Sequence, residues 1–227
     1  MAEMITFQRP DGKSCSGYYG APEDGALEDD SPVPGVVVIQ EWWGLNDQIK
    51  GVADQLIEEG YRVLVPDLYR GDVTLEAAEA QHKMDELDFA DATAQDIKGA
   101  AQYLHKDSPD VAVMGFCMGG VLTMLAAMKV AEVDVAVSWY GVPPESAGDP
   151  GDIDIPVQGH FGLNDSFFPP ASVDQLEAKL KEDEVNYEFY RYEGAGHAFG
   201  NETGDNYDPE AKAVAWARSL EFLDKHL

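Results

Sequence analysis

Gly115-Phe116-Cys117-Met118-Gly119 places a cysteine midway between two glycines, directly after a run of apolar residues. This is the form of a nucleophile elbow, a strand-to-helix turn so tight that a side chain two positions before or after the nucleophile would collide with the neighbouring chain. A thiol there stands at the N-terminus of the next helix, whose unpaired N–H groups and partial positive charge favour thiolate, and the Met118 N–H can serve an oxyanion. Such a nucleophile needs a base and a group to orient it. His197 lies in the glycine-rich run Glu193-Gly-Ala-Gly-His-Ala-Phe-Gly200, and Asp165 in His160-Phe-Gly-Leu-Asn-Asp-Ser-Phe-Phe-Pro169. Each residue has a plainer reading: a buried cysteine beside packing glycines, a surface-loop histidine, a turn aspartate. The three together, in the order nucleophile, acid, histidine, point to covalent acyl transfer by a Cys-His-Asp triad.

A fourth segment bears on the same chemistry. Gln40-Glu41-Trp42-Trp43-Gly44-Leu45-Asn46 follows the apolar run at 35–39, and a loop in this place supplies the second oxyanion N–H, for which the Trp42 backbone is the candidate. Glu41 reads either as a neighbour of the thiol or as a solvent-facing loop acid, and the two tryptophans read equally well as core.

The elements that must position these groups follow from periodicity. Residues 5–8 and 14–19 flank Pro10-Asp11-Gly12 and predict an N-terminal β-hairpin. An acidic, Pro/Gly-rich loop runs from 21 to 34. Strands too apolar for a wet face are predicted at 35–39, 61–65, 111–116, 133–139, 155–161 and 187–192, as in a parallel sheet covered on both sides. Helices are predicted at 47–59, over much of 75–105, and at 119–130, 172–181 and 209–226. Alternation of this kind specifies an α/β fold, a mostly parallel central sheet with helices on both faces and the hairpin extending one edge, as one domain over residues 1–227. Cys117, Asp165 and His197 all fall at strand exits, where such sheets collect reactive groups. That order and placement are those of the α/β-hydrolase fold.

Composition narrows the partners. Forty-three acidic residues against fifteen Lys and Arg give a formal net charge of −28, a field that repels phosphate backbones and anionic lipid surfaces. The acids are spread among apolar segments, as on the solvated faces of a folded domain, and a host with high internal salt, which screens the self-repulsion, is expected. With no apolar run long enough to span a bilayer and no basic-then-apolar N-terminus, a cytoplasmic protein is expected. Cys15 and Cys117 are too few for a disulfide framework. His82, His105, His160, His197 and His226 have no metal-ligand spacing and no phosphate-binding Gly-Lys-Ser/Thr loop appears, so neither metal nor cofactor is expected. The expected partner is a small ester substrate, acted on by a monomer or small homo-oligomer.

Taken together, Gln40-Glu41, Pro66-Asp67-Leu68-Tyr69, Gly115-Phe116-Cys117-Met118-Gly119-Gly120, Asn164-Asp165 and Gly196-His197-Ala198-Phe199 resemble the dienelactone hydrolase (carboxymethylenebutenolidase) family, from about Ile5 to the C-terminus. The resemblance implies that Glu41 holds the resting thiol and takes its proton when substrate arrives. It further implies that Cys117 attacks a lactone or ester carbonyl, with Met118 and Trp42 N–H groups on the oxyanion, and that water activated by His197 hydrolyses the thioester. Trp43, Tyr69, Arg70 and Phe199 are the substrate-binding candidates. One departure concerns the substrate. The family's carboxylate-binding arginines have no counterpart, because 71–97 contains no Arg and Gly200-Asn201 follows the histidine segment; Arg70 and Lys83 are the candidate substitutes. Two other functions remain compatible with the residues: a non-catalytic ligand-binding module, and a thiol-based stress-response or peptidase-like protein.

Overall fold

Strands β1 (Glu3–Gln8) and β2 (Ser14–Gly20) pair antiparallel in the computed structural model, which describes residues 2–23 and 32–227. Most of the acidic 21–34 loop lies outside the described residues. The hairpin turns through Gly12 at φ 82°, where an L side chain would be strained, and Arg9 N–H donates to the Lys13 carbonyl at 2.9 Å. β2 then adds antiparallel to β4 (Arg62–Pro66), joining the hairpin to the main sheet.

The sheet has eight strands in the order β1-β2-β4-β3-β5-β6-β7-β8. From β4 onward every pairing is parallel, through β3 (Gly35–Ile39), β5 (Val111–Phe116), β6 (Val135–Trp139), β7 (Val157–Gly162) and β8 (Tyr187–Tyr192). Alternate residues of the apolar strands face opposite sides, so one strand feeds two cores. Val37 and Ile39 join Leu104, Leu122, Leu176 and Leu180 from α4 (Lys98–Leu104), α5 (Met118–Lys129) and α6 (Pro170–Glu182). Val36 and Val38 join Ile49, Leu56, Ala215 and Phe222 from α1 (Asp47–Glu58) and α7 (Pro209–His226). This is the mostly parallel, two-sided α/β architecture expected, with the hairpin at one edge.

The predicted helical stretch 75–105 is subdivided. It contains α2 (Ala77–Glu86), a short α3 (Phe89–Asp91), a π-helical segment Ala92–Ile97, and α4. Asp88 caps α3, its carboxylate accepting from Ala90 and Asp91 N–H at 3.0 Å each. The wider π turn places Asp96, 1% exposed, between Arg9 and Arg70 at 3.4 and 2.8 Å, tying the hairpin and the β4 exit to this segment. α6 begins two residues earlier than its apolar spacing suggested, because Pro170 occupies its first position without needing an N–H partner. No helix among the described residues is long and apolar enough to cross a membrane.

Candidate active site

Cys117 sits between β5 and α5 with φ 55° and ψ −115°, a backbone conformation unusual for an L-residue outside glycine. The flanking glycines are sterically required. A Cβ on Gly115 would lie 2.1 Å from the Gly119 carbonyl oxygen, and one on Gly119 would lie 2.4 Å from that of Ile39. The turn is pinned further by Cys117 N–H donating to the Trp139 carbonyl at 3.0 Å. Strand packing on both sides therefore holds the thiol at the carboxyl edge of the sheet.

Two later strand exits meet it there. His197 Nε2 lies 3.0 Å from Cys117 Sγ, and His197 Nδ1 lies 2.8 Å from Asp165 Oδ2. The other Asp165 oxygen accepts from the Phe167 and Phe168 N–H groups at 2.8 and 2.9 Å, so an Asx-type turn aims the carboxylate at the imidazole. Beyond the histidine, Ala198 adopts φ 58° and Asn206 donates to the His197 carbonyl at 3.0 Å. The ring is flanked by Phe167 and Tyr140, with centroids 4.7 and 5.5 Å away.

Glu41 is buried beside this line but is held by other residues. Asn201 Nδ2 donates to one carboxylate oxygen at 2.7 Å and the Tyr140 hydroxyl to the other at 3.3 Å. The expected direct hold of Glu41 on the resting thiol is thus replaced: His197 is the hydrogen-bond partner of Sγ among the described residues. Burial pushes the Glu41 carboxyl above its ordinary range, opposed by the Asn201 bond, by His197 and by Tyr140. Burial, then the charge of Glu41, pushes the Cys117 thiol up, while the Met118 N–H at the helix start pulls it down. Desolvation and the neighbouring carboxylate thus act against the helix end at this sulfur.

Met118 is the first residue of α5, and among the described residues neither its N–H nor that of Trp42 donates a backbone hydrogen bond. The Trp42-Trp43 loop is fixed by Thr74 N–H donating to the Trp43 carbonyl at 2.9 Å and by Gly44, whose Cβ would meet the Asp72 carbonyl at 2.4 Å. Both tryptophans line a cleft of about 1360 Å³ that opens over Cys117 and His197.

The other substrate-binding candidates lie elsewhere. Phe199 is fully buried against Trp139, Tyr140 and Tyr192. Tyr69 is buried, its hydroxyl donating to Met118 Sδ at 3.3 Å. Arg70 is occupied by Asp96 at 2.8 Å and by the Asp67 carbonyl at 2.8 Å, while Lys83 pairs with Asp72. Neither cation is among the cleft-lining residues, because each is already satisfied by a nearer acceptor. Asn201, Tyr140 and Phe167 were not singled out from sequence. Tyr140 directly follows β6 and Asn201 lies four residues past His197, so the rule that strand exits build the site could have flagged both.

A largely parallel sheet carrying this elbow, with acid and histidine from the exits of β7 and β8, defines an α/β-hydrolase. Within that class the chain belongs to the dienelactone hydrolase family, which it matches over residues 19–227, and so to the carboxylic ester hydrolases. It is 30% identical over 240 residues to Protein usf of Aquifex pyrophilus, covering 100% of both chains. To the carboxymethylenebutenolidase of Pseudomonas putida it is 28% identical over 235 residues, covering 98% of this chain and 96% of that one. A solved structure from Klebsiella pneumoniae has a TM-score of 0.87 at 26% identity, covering 99% of each chain.

Proposed function

We propose that the protein hydrolyses carboxylic esters or lactones through a thioester on Cys117. The observation that carries this reading is the unbroken line from Sγ to His197 Nε2 at 3.0 Å and from Nδ1 to Asp165 Oδ2 at 2.8 Å.

Substrate in the cleft excludes water and brings its carbonyl carbon to the sulfur. The thiol proton passes to His197 Nε2, and the thiolate attacks the carbonyl. We assign that proton to His197 rather than Glu41 because the Glu41 oxygens are engaged by Asn201 and Tyr140. Asp165 holds Nδ1–H, which keeps Nε2 a base and then stabilises the imidazolium. The oxyanion is received by the N–H groups of Met118 and Trp42. Collapse expels the alkoxide or enolate, which takes the proton from Nε2–H. A water molecule then gives a proton to Nε2 and attacks the thioester; the second collapse releases the carboxylic acid and returns the proton to sulfur.

Glu41 serves the resting state in this scheme. Its buried carboxylate raises the cost of thiolate, which makes Sγ a poorer target for oxidants that consume thiolate.

The test is hydrolysis of 4-nitrophenyl acetate by the wild type and Cys117→Ala, with intact-mass spectrometry of the wild type quenched during turnover. The expected result is an acetyl adduct on Cys117 and loss of at least about 10³-fold in kcat for the variant. Equal turnover by both proteins would overturn the mechanism.

A further inference from the structure

Resting on the reading of Cys117 as an ester-cleaving nucleophile, we infer that the cleft selects esters whose acyl part carries an aromatic ring and no negative charge. The charges around it are one-sided. Among the described residues that line it, Glu41, Glu145, Asp149, Glu182 and Asp205 are acidic, and Lys179 is the single lysine or arginine. That ammonium is already shared, at 2.9 Å from Asp183, 3.7 Å from Asp149 and 4.0 Å from Glu182. A substrate carboxylate would enter without a free cation to meet it, against carboxylates on several walls, and would lose hydration as it did so. The chain's net charge of −28 adds a longer-range barrier to an approaching anion.

The apolar lining says what is accepted. Trp42 packs edge-on against Trp43 at 5.2 Å and against Phe167 at 6.2 Å, and Phe167 in turn lies over the His197 ring at 4.7 Å. Phe167 is nonetheless 61% exposed, a large ring left in water beside the reactive sulfur. Its backbone is locked by the 2.8 Å bond from its N–H to Asp165, so this exposure is preorganised rather than a loose loop end. Aromatic rings fixed edge to face around a nucleophile offer a flat group both a stacking face and an apolar contact, and exposed apolar surface of this kind marks a ligand surface.

The test compares two arylpropanoate esters with one leaving group, 4-nitrophenyl 3-phenylpropanoate and its anionic analogue 4-nitrophenyl 3-(4-carboxyphenyl)propanoate, with 4-nitrophenyl acetate as reference. Taking the ratio of kcat/KM within one salt concentration cancels any change in the folded fraction. The neutral aryl ester is expected to exceed the anionic one by at least about tenfold in low salt, the gap narrowing as NaCl is raised. It is also expected to exceed the acetate. The combined substitution Glu145→Gln, Asp149→Asn and Glu182→Gln is expected to narrow the neutral-to-anionic ratio, and Phe167→Ala to lower the phenylpropanoate-to-acetate ratio, chiefly through KM. Turnover of the anionic ester equal to or above that of its neutral partner, or cleavage of the acetate with neither arylpropanoate cleaved, would overturn this inference alone. Failure of the wild type to exceed Cys117→Ala on all three esters would remove the hydrolase reading and this inference with it.

Discussion

Replacing Asp165 by asparagine separates a catalytic role from a turn role, and the structure dictates how the new amide must sit. Asp165 accepts from two backbone N–H groups through Oδ1, at 2.8 and 2.9 Å, and meets His197 Nδ1 with Oδ2 at 2.8 Å. The residue is buried. If the asparagine oxygen takes the Oδ1 place, both backbone donors stay satisfied and the NH₂ faces Nδ1. The opposite orientation leaves two buried N–H groups facing an NH₂, at about 1–3 kcal/mol each, to retain one bond to the histidine. The first orientation therefore wins. It forces Nδ1 to become the acceptor and puts the imidazole proton on Nε2, pointing at Cys117 Sγ, so Nε2 can no longer take the thiol proton. The expected loss in kcat is roughly 10⁴-fold, about 5 kcal/mol, as for other triads whose histidine is held in the wrong tautomer. The assay is the 4-nitrophenyl acetate rate across pH, with a denaturant midpoint near that of the wild type as evidence that the turn survives. A folded Asp165→Asn protein within tenfold of wild-type kcat would refute the reasoning and leave Asp165 as a turn residue.

Three further outcomes are expected. Because burial and the charge of Glu41 raise the Cys117 thiol, its alkylation by iodoacetamide should be slow at neutral pH and accelerate as pH rises. Glu41→Gln should bring that onset to lower pH, whereas a wild-type thiol already fully reactive at pH 6 would contradict the upward shift. Gly119→Ala places a Cβ 2.4 Å from the Ile39 carbonyl and 2.6 Å from that of Gln40, backbone atoms that cannot move aside, so the cost in denaturant-derived stability should exceed about 3 kcal/mol; a midpoint unchanged from wild type would show that the elbow has room. Melting temperature should climb with NaCl as screening relieves the repulsion of a chain carrying −28 net charges, and equal melting at very low and molar salt would refute the salt-adapted reading.

The parts of this protein legible in one dimension are those governed by local pattern. Val36-Val-Val-Ile39 and Val111-Ala-Val-Met114 are too apolar and β-branched for anything but buried strands, and the helical spacings between them force parallel pairing with helices on both faces. The elbow was legible for the same reason, since only glycine fits where a Cβ would stand 2.1 Å from a carbonyl oxygen. The subdivision of 75–105 was not. A π turn changes one hydrogen-bond register without changing residue type, and its position reflects the burial of Asp96 between Arg9 and Arg70, which lie far away in the chain.

The site divides along the same line. Residue order could nominate Cys117, Asp165, His197 and Glu41, because strand exits are places the chain must pass. Tertiary structure decided what each group does at rest. Glu41 is bound by Asn201, 160 residues later, rather than by the thiol, and Arg70 turns to Asp96 instead of the cleft. Phe199 goes to the core while Phe167 stands exposed beside the sulfur. Ionisation and partner choice depend on dielectric and on distances of a few ångströms between segments remote in sequence, and those exist only once the sheet has brought its exits together.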